Sequence, residues 1–574
     1  MARHAFALAL ASAYSLASAL STPQVVPRAS GPCAGNTATT RSQWCEYSVD
    51  TDYNSVVPDT GVTREYWLEL TDVQVAPDGR QRSHSAMAIN GSIPGPTLFA
   101  DWGDNVIVHL TNNLDPSENN GTSMHFHGIR QNYTNQNDGV SAITQCPTPP
   151  GSTVTYKWRA TQYGSSWYHS HWALQAWQGM LGGIIINGPA TENYDEDLGM
   201  LFLNDWDIHT VDQLYYKAQT SGPPTLDQGL INGTNVFNSS DNQVTGHRWN
   251  TTFTEGKSYR IRLVNGAIDT HWKFSLDNHT LTVIGTDFVP IKPYTTNIVD
   301  IGMGQRYDII VTANQAATAD AFWMRAIPQS ACSDNSNAQD IRGIVYYGQA
   351  SEQLPTTNGY DYDDSCADED PSNLVPYVAK NVGSSTWADT QGVSVAFNDE
   401  RLFRWYLNTT TMVVDWKNPT VMQVATGNTS VFESSNAVMV LDKADEWIYL
   451  AIQTTLAVPH PIHLHGHDFF VLAQGSGQYQ PGTTALNLVN PPRRDTAMLP
   501  ASGHLVMAFL TDNPGAWLMH CHIGWHTSEG FAMQFVERQS EMLGLMDQEE
   551  LNDSCAAWAS YQKTYKVLQE DSGI

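Results

Sequence analysis

The chain has 574 residues, 15% of them charged and 41% hydrophobic, with a formal net charge of −29 at pH 7. That composition excludes a disordered chain, and that charge excludes nucleic acid and anionic membrane surfaces as partners. The length exceeds one ordinary domain, and no later stretch carries the roughly 18 consecutive apolar residues of a membrane span.

In chain order, Arg3 and His4 precede an apolar run over 5–16, and Ala17-Ser18-Ala19 completes a small-x-small cleavage pattern. Residues 1–19 therefore read as a signal peptide, and 20–30 as an optional short propeptide with Arg28 as its cue. The expectation is a secreted, extracellular protein without a membrane anchor. There are seven cysteines: Cys33, Cys45, Cys146, Cys332, Cys366, Cys521 and Cys555. An odd count in a secreted chain leaves one to explain. Cys521, flanked by His520 and His522, is the natural metal thiolate. Cys33 with Cys45, Cys332 with Cys366 and Cys146 with Cys555 is one arrangement among the many that the other six allow. Sequons at Asn90, Asn120, Asn132, Asn232, Asn238, Asn250, Asn278, Asn408, Asn428 and Asn552 point to N-glycosylation of all or some.

Most of the chain reads as short strands. Alternation runs through 106–110, 154–158, 259–263, 307–311 and 505–509, and Asn90-Gly91, Pro94-Gly95-Pro96, Asn232-Gly233 and Asn513-Pro514-Gly515 punctuate it. Many short strands between such turns predict an all-β protein of stacked sandwiches or barrels. A helix is expected over 548–567, with Leu551, Cys555 and Trp558 on its inner face. Asn187-Gly188-Pro189 and the acidic stretch 361–376 are candidate boundaries, which divide the chain into 31–190, 191–375 and 376–574.

Four His-x-His motifs carry the chemistry: His125/His127, His169/His171, His463/His465 and His520/His522, with His460 and His526 flanking the last two. Residues i and i+2 of a strand project to one side, so each pair can grip one metal or bridge two. In His520-Cys521-His522 the thiolate points away from both imidazoles, so one tripeptide reaches two metal centres. Cys521, His526 and His460 make the His2Cys set of a blue-copper site. Phe531 stands ten residues after Cys521, where an axial methionine is often found, and its lack of a donor raises the reduction potential. The remaining eight imidazoles suit a three-copper cluster with open positions for a small ligand such as dioxygen. Two pairs precede residue 175 and the rest follow 459, so the first and last thirds of the chain must meet.

These motifs resemble the four copper signatures of multicopper oxidases, in order and spacing. The matching stretches are Ser123-Met124-His125-Phe126-His127-Gly128, Trp167-Tyr168-His169-Ser170-His171, His460-Pro461-Ile462-His463-Leu464-His465-Gly466 and His520-Cys521-His522-Ile523-Gly524-Trp525-His526. The chain is similar in particular to laccases of filamentous ascomycetes, through Thr51-Asp52-Tyr53, Pro58-Asp59-Thr60-Gly61, Asn490-Pro491-Pro492-Arg493-Arg494-Asp495 and Asp571-Ser572-Gly573-Ile574. The resemblance implies three consecutive cupredoxin-like Greek-key domains and four copper ions. It assigns type 1 copper to His460, Cys521 and His526, and type 2 to His125 and His463. It assigns one type 3 copper to His127, His169 and His522, and the other to His171, His465 and His520. It supports the cysteine pairing above, and it leaves His467 outside the ligand set.

The implied activity is a laccase: one-electron oxidation of small phenols or aromatic amines, lignin-related phenols among them, coupled to reduction of dioxygen to water. The implied enzyme is a monomer. Asp138 matches an acid that feeds protons to the oxygen site, or it is a turn aspartate. Asp269 matches a carboxylate of the substrate pocket, acting as general base, or it belongs to a solvated loop. Phe126 replaces the tryptophan of many relatives. Gly524 stands where iron-oxidising relatives carry glutamate, which argues against a ferroxidase. Much of the same ligand pattern would also serve an ascorbate oxidase, a bilirubin oxidase or a secreted copper-binding protein without turnover. The Ile574 carboxylate either plugs the channel to the cluster, as the resemblance implies, or ends a frayed terminus.

Overall fold

The computed structural model describes residues 33–82, 84–118, 120–349, 353–426 and 432–574, so the signal-like segment, the optional propeptide and Asn428 lie outside the described residues. Strands dominate. They group into three successive pairs of facing sheets, spanning Thr63–Val73 to Leu181–Asn187, Glu196–Trp206 to Arg342–Tyr347, and Trp387–Phe397 to Ala532–Glu537.

One pairing recurs in each. An opening strand of 11 residues runs parallel to a later strand: Thr63–Val73 with Asn105–Asn112, Glu196–Trp206 with Ser258–Asn265, and Trp387–Phe397 with Trp447–Thr454. The facing sheet has its own parallel pair: Gly95–Asp101 with Leu181–Asn187, Asn250–Phe253 with Arg342–Tyr347, and Val438–Leu441 with Ala532–Glu537. Parallel neighbours cannot be joined by a tight hairpin, so the chain crosses between sheets and returns. This is the cupredoxin-like Greek-key architecture.

The predicted strands lie inside observed ones, but their alternation has two meanings. In Asn105–Asn112 it separates core from surface. In Ser258–Asn265 the polar positions are buried too: Arg260 pairs with Asp308, and Arg262 with Asp197 and Ser165. Buried charges persist only when paired, and Ser165 belongs to the first sheet pair. Arg262 therefore joins two sheet pairs, and Arg260 is held within the second, instead of either facing water.

Disulfides join Cys33 to Cys45, Cys146 to Cys555 and Cys332 to Cys366, and Cys521 is buried and unpaired. The C-terminal helix, Gln548–Tyr565, starts at Asp547, whose side chain accepts from the Glu550 N–H, and stops at Lys566 in a left-handed conformation. It buries Leu551, Cys555, Trp558 and Tyr561, so the disulfide at Cys555 and the apolar face dock together. A second helix, Val211–Ser221, is closed by a Thr210/Gln213 capping box. Asn120 is buried with its amide donating to the Asp115 carbonyl, which closes that sequon to modification in the folded chain; Asn90, Asn132, Asn238, Asn250, Asn278, Asn408 and Asn552 are exposed. No helix of the described residues is long and apolar enough to cross a membrane.

Candidate metal centres

Two neighbouring strands generate both centres. His460–Leu464 pairs antiparallel with Gly515–Cys521, with Ile462 opposite Cys521 and His463 opposite His520. By the alternation of strands, His460 and Cys521 face one way while His463 and His520 face the other. His526 joins the first set from the short helix Gly524–Ser528. Cys521 Sγ lies 3.9 Å from His460 Nδ1 and 3.6 Å from His526 Nδ1.

All three are buried. Burial pushes the Cys521 thiol up and the His460 and His526 imidazoles down, His460 to about 3, so both rings are neutral ligands and the thiolate needs a bound cation. Aromatic rings wall the site. Phe531 meets His460 at 5.1 Å between centroids and stacks on Trp405 at 5.4 Å, and Trp405 lies 4.1 Å from His526. Trp405 Nε1 donates to Glu529, whose carboxyl burial pushes up to about 8.

The other eight histidines converge where the first and third sheet pairs meet. His125 sits opposite His169 in a two-strand pairing, which turns Phe126 back into the core against Tyr156 and Trp158. The groups His127/His169/His522, His171/His465/His520 and His125/His127/His463 each bring one donor atom per residue within 4.8 Å of the others. The inner Nε2 atoms of His125, His463, His465 and His520, and both nitrogens of His522, are buried without a hydrogen-bond partner. Buried polar atoms without partners are costly, and neutral imidazole is the form that binds metal. Burial holds His127, His169, His171, His463, His465 and His522 well below the ordinary value, and His520 at about 4. A set of imidazoles plus one thiolate fits copper.

The outer nitrogens of six of the eight cluster histidines are tied down. Nδ1 of His125 donates to the Asp138 carbonyl at 2.8 Å, and Nδ1 of His465 meets the Asp138 carboxylate at 2.8 Å. Asp138 is fully buried, so its carboxylate is part of the cluster's frame as well as of a turn. His463 Nδ1 donates to the Asp495 carbonyl at 2.7 Å, and His127 Nε2 lies 3.1 Å from the Asp495 carboxylate. Arg306 holds that carboxylate from the second sheet pair at 2.5 Å.

Asp269 is 6% exposed and lies in no solvated loop. Asp205 accepts from the N–H groups of Ile268, Asp269 and Thr270 and so fixes the loop's shape. The Ile268 carbonyl accepts from Gly524 N–H at 3.0 Å, which ties the loop to the turn bearing His526. Burial, then the Asp205 charge, raise the Asp269 carboxyl well above the ordinary carboxylate range. A side chain at Gly524 would place its Cβ 2.5 Å from the Trp177 ring, so glutamate has no room there.

His467 binds Glu537 at 3.1 Å and is outside every donor group. Ile574 is 1% exposed, and Ser572 exchanges hydrogen bonds with Ser528, Thr527 and Val414, so the tail is docked and not frayed. Sequence reasoning missed the roles of Asp495, Arg306, Asp205, Trp405 and Glu529. Asp495 closes the Asn490–Asp495 motif, the one available cue among them.

Profiles described as multicopper oxidase match residues 69–191, 197–350 and 413–541. The chain is 47% identical to Laccase-2 and 49% identical to Laccase-1 of Botryotinia fuckeliana, in each case over 99% of both chains. The fold is similar to the crystal structure of the laccase from Botrytis aclada, with a TM-score of 0.90 and 47% identity over 94% of this chain and 100% of that one.

Proposed function

The chain belongs to the multicopper oxidase family and is a laccase-type enzyme, and from that premise we propose which residues perform each part of its reaction. Its four copper ions, when bound, supply a one-electron acceptor at the type 1 site and the four-electron reduction of dioxygen to water at the type 2/type 3 cluster. His460, Cys521 and His526 hold the type 1 ion. His125 and His463 hold type 2. His127, His169 and His522 hold one type 3 ion, and His171, His465 and His520 hold the other.

The substrate is a small phenol or aromatic amine, docked beside His526. Asp269 takes the phenolic proton as the electron leaves, a role favoured by its raised affinity for protons and by the loop that ties it to the His526 turn. Electrons pass from Cys521 through its backbone to His520 and His522. Asp138 orients His125 and His465 and delivers protons toward the oxygen site. Phe531 packs beside the type 1 ligands without donating, which keeps the potential high. The docked Ile574 end plugs the channel to the cluster.

We propose domains over 31–190, 191–375 and 376–574, a division that the three successive sheet pairs support. We propose secretion, on the signal-like segment 1–19, and a monomer, since one chain provides every ligand of both centres. The observation that carries this reading is the convergence of ten histidines and one cysteine into complete donor groups. The test is dioxygen uptake by the copper-loaded protein with a methoxyphenol, ferrous iron and ascorbate in parallel. Preference for the phenol is expected; preference for iron or ascorbate would overturn the substrate assignment and leave the copper assignments standing.

A further inference from the structure

Five aromatic side chains form a continuous file from the residue that follows a cluster histidine to the surface. Trp172 directly follows the cluster histidine His171. Its ring centroid lies 5.4 Å from that of Trp416, Trp416 lies 5.8 Å from Trp558, Trp558 lies 5.4 Å from Tyr561, and Tyr561 lies 5.0 Å from Tyr565. The first four are at most 7% exposed, whereas Tyr565 is 44% exposed, with exposed Leu568 three residues on. Gly121 opens space in the file: a Cβ there would lie 2.9 Å from Trp558 and 3.0 Å from Trp172. We propose that this file carries electrons inward to the cluster, and that Tyr565 is a second, surface site of oxidation for phenols too bulky to dock at the position proposed beside His526 and Asp269. The proposal rests on the laccase reading above.

The chemistry of the side chains favours transfer over trapping. An oxidised indole becomes a neutral, long-lived radical when its N–H loses a proton. Among the described residues, no protein group accepts from the buried Nε1 atoms of Trp172 and Trp558, although buried indoles usually have a partner. Trp416 Nε1 donates at 3.0 Å to the Gly573 carbonyl, which takes no proton. Each indole radical cation therefore keeps its proton and is refilled by its neighbour. The Tyr561 hydroxyl donates to the Pro116 carbonyl, also no base, so Tyr561 is crossed without losing its proton. Tyr565 alone can release a phenolic proton to water.

Electrons and protons balance along this route. Trp172 gives one electron to the cluster, where it counts toward the four that turn dioxygen into water. Trp416 refills Trp172, Trp558 refills Trp416, and Tyr565 refills Trp558 across Tyr561, releasing its phenolic proton to solvent. A phenol at the surface then transfers a hydrogen atom to the Tyr565 oxygen. Its O–H bond breaks, the Tyr565 O–H bond re-forms, and the phenol leaves as a phenoxyl radical. Net, one phenol loses one electron and one proton.

The test uses the copper-loaded full chain, reduced by fewer than four electrons and exposed to dioxygen with 2-methyl-2-nitrosopropane as spin trap, followed by peptide mapping by mass spectrometry. A trap adduct on Tyr565 is expected, lost in Trp558→Phe and in Tyr565→Phe; Trp416→Phe serves if Trp558→Phe does not fold. A methoxyphenol tethered to dextran should lose its oxidation in the same variants, while the free methoxyphenol turns over as before. Absence of the adduct in the unaltered chain, its persistence in Trp558→Phe, or undiminished oxidation of the tethered phenol by Tyr565→Phe would overturn the proposal. No turnover of free methoxyphenol by the unaltered chain would instead overturn the laccase reading.

Discussion

The two metal centres share a pair of strands yet are held by opposite means. At the cluster, the outer nitrogens of six of the eight histidines are anchored by polar groups: His125 and His465 by Asp138, His463 and His127 by Asp495, His520 by the Cys521 carbonyl and His169 by the Ser170 carbonyl. At the His2Cys site, the outer nitrogen of His460 has no partner, and rings of Trp405 and Phe531 pack around the ligands. Fixed hydrogen bonds set the geometry of the first centre, and shape sets that of the second. Polar substitutions should therefore damage the cluster, and changes of shape or donor the His2Cys site.

The largest break in that comparison is Cys521→Ser. It should abolish the visible absorption and dioxygen uptake, and bound copper should fall from four ions to three, read by metal analysis beside an unchanged circular dichroism spectrum. Asp138→Ala should lower cluster copper affinity or activity by roughly 10–100-fold, the usual cost of losing a group that orients ligands, with the thiolate absorption intact. Equal loss of both signals would show that the two centres are not held independently. Gly524→Glu should cost about 1–3 kcal/mol by overpacking against Trp177, measured by denaturant unfolding, without a gain in ferrous iron oxidation.

Asp269→Asn tests the pocket. A base works only above its pKa, and burial raises that of Asp269, so the acidic limb of phenol kcat/KM is displaced upward in pH. The variant should lose that limb, with a deficit that grows as pH rises and stays under about tenfold because water is an alternative acceptor. A donor that loses an electron without a proton should show no difference. The smallest effect is expected of Phe531→Met: a lower type 1 potential by redox titration, with copper content unchanged.

The ligand residues were legible because their geometry is local. A His-x-His on a strand needs only the two-residue repeat, and His520-Cys521-His522 states which side each ligand takes. Their frame was not legible, since Arg306 meets Asp495 across 189 residues and Trp405 meets Glu529 across 124. No spacing rule spans such distances. Alternation in 259–263 signalled a strand, but not that Arg260 and Arg262 would be buried against neighbours. The Val211–Ser221 helix is written in its capping box, Thr210 with Gln213, although its weak amphipathic pattern hides it among strands.

The placement of the ligands also orders the protein's birth. While a ribosome is still extending the chain, His125 to His171 lack the other half of their donor groups, because those ligands begin at His460. The bridge from Cys146 must wait for Cys555, 409 residues later. Copper capture is therefore a late event by topology. A product cut short before His460 holds only four of the eleven donor residues, and the metal itself distinguishes finished chains from unfinished ones.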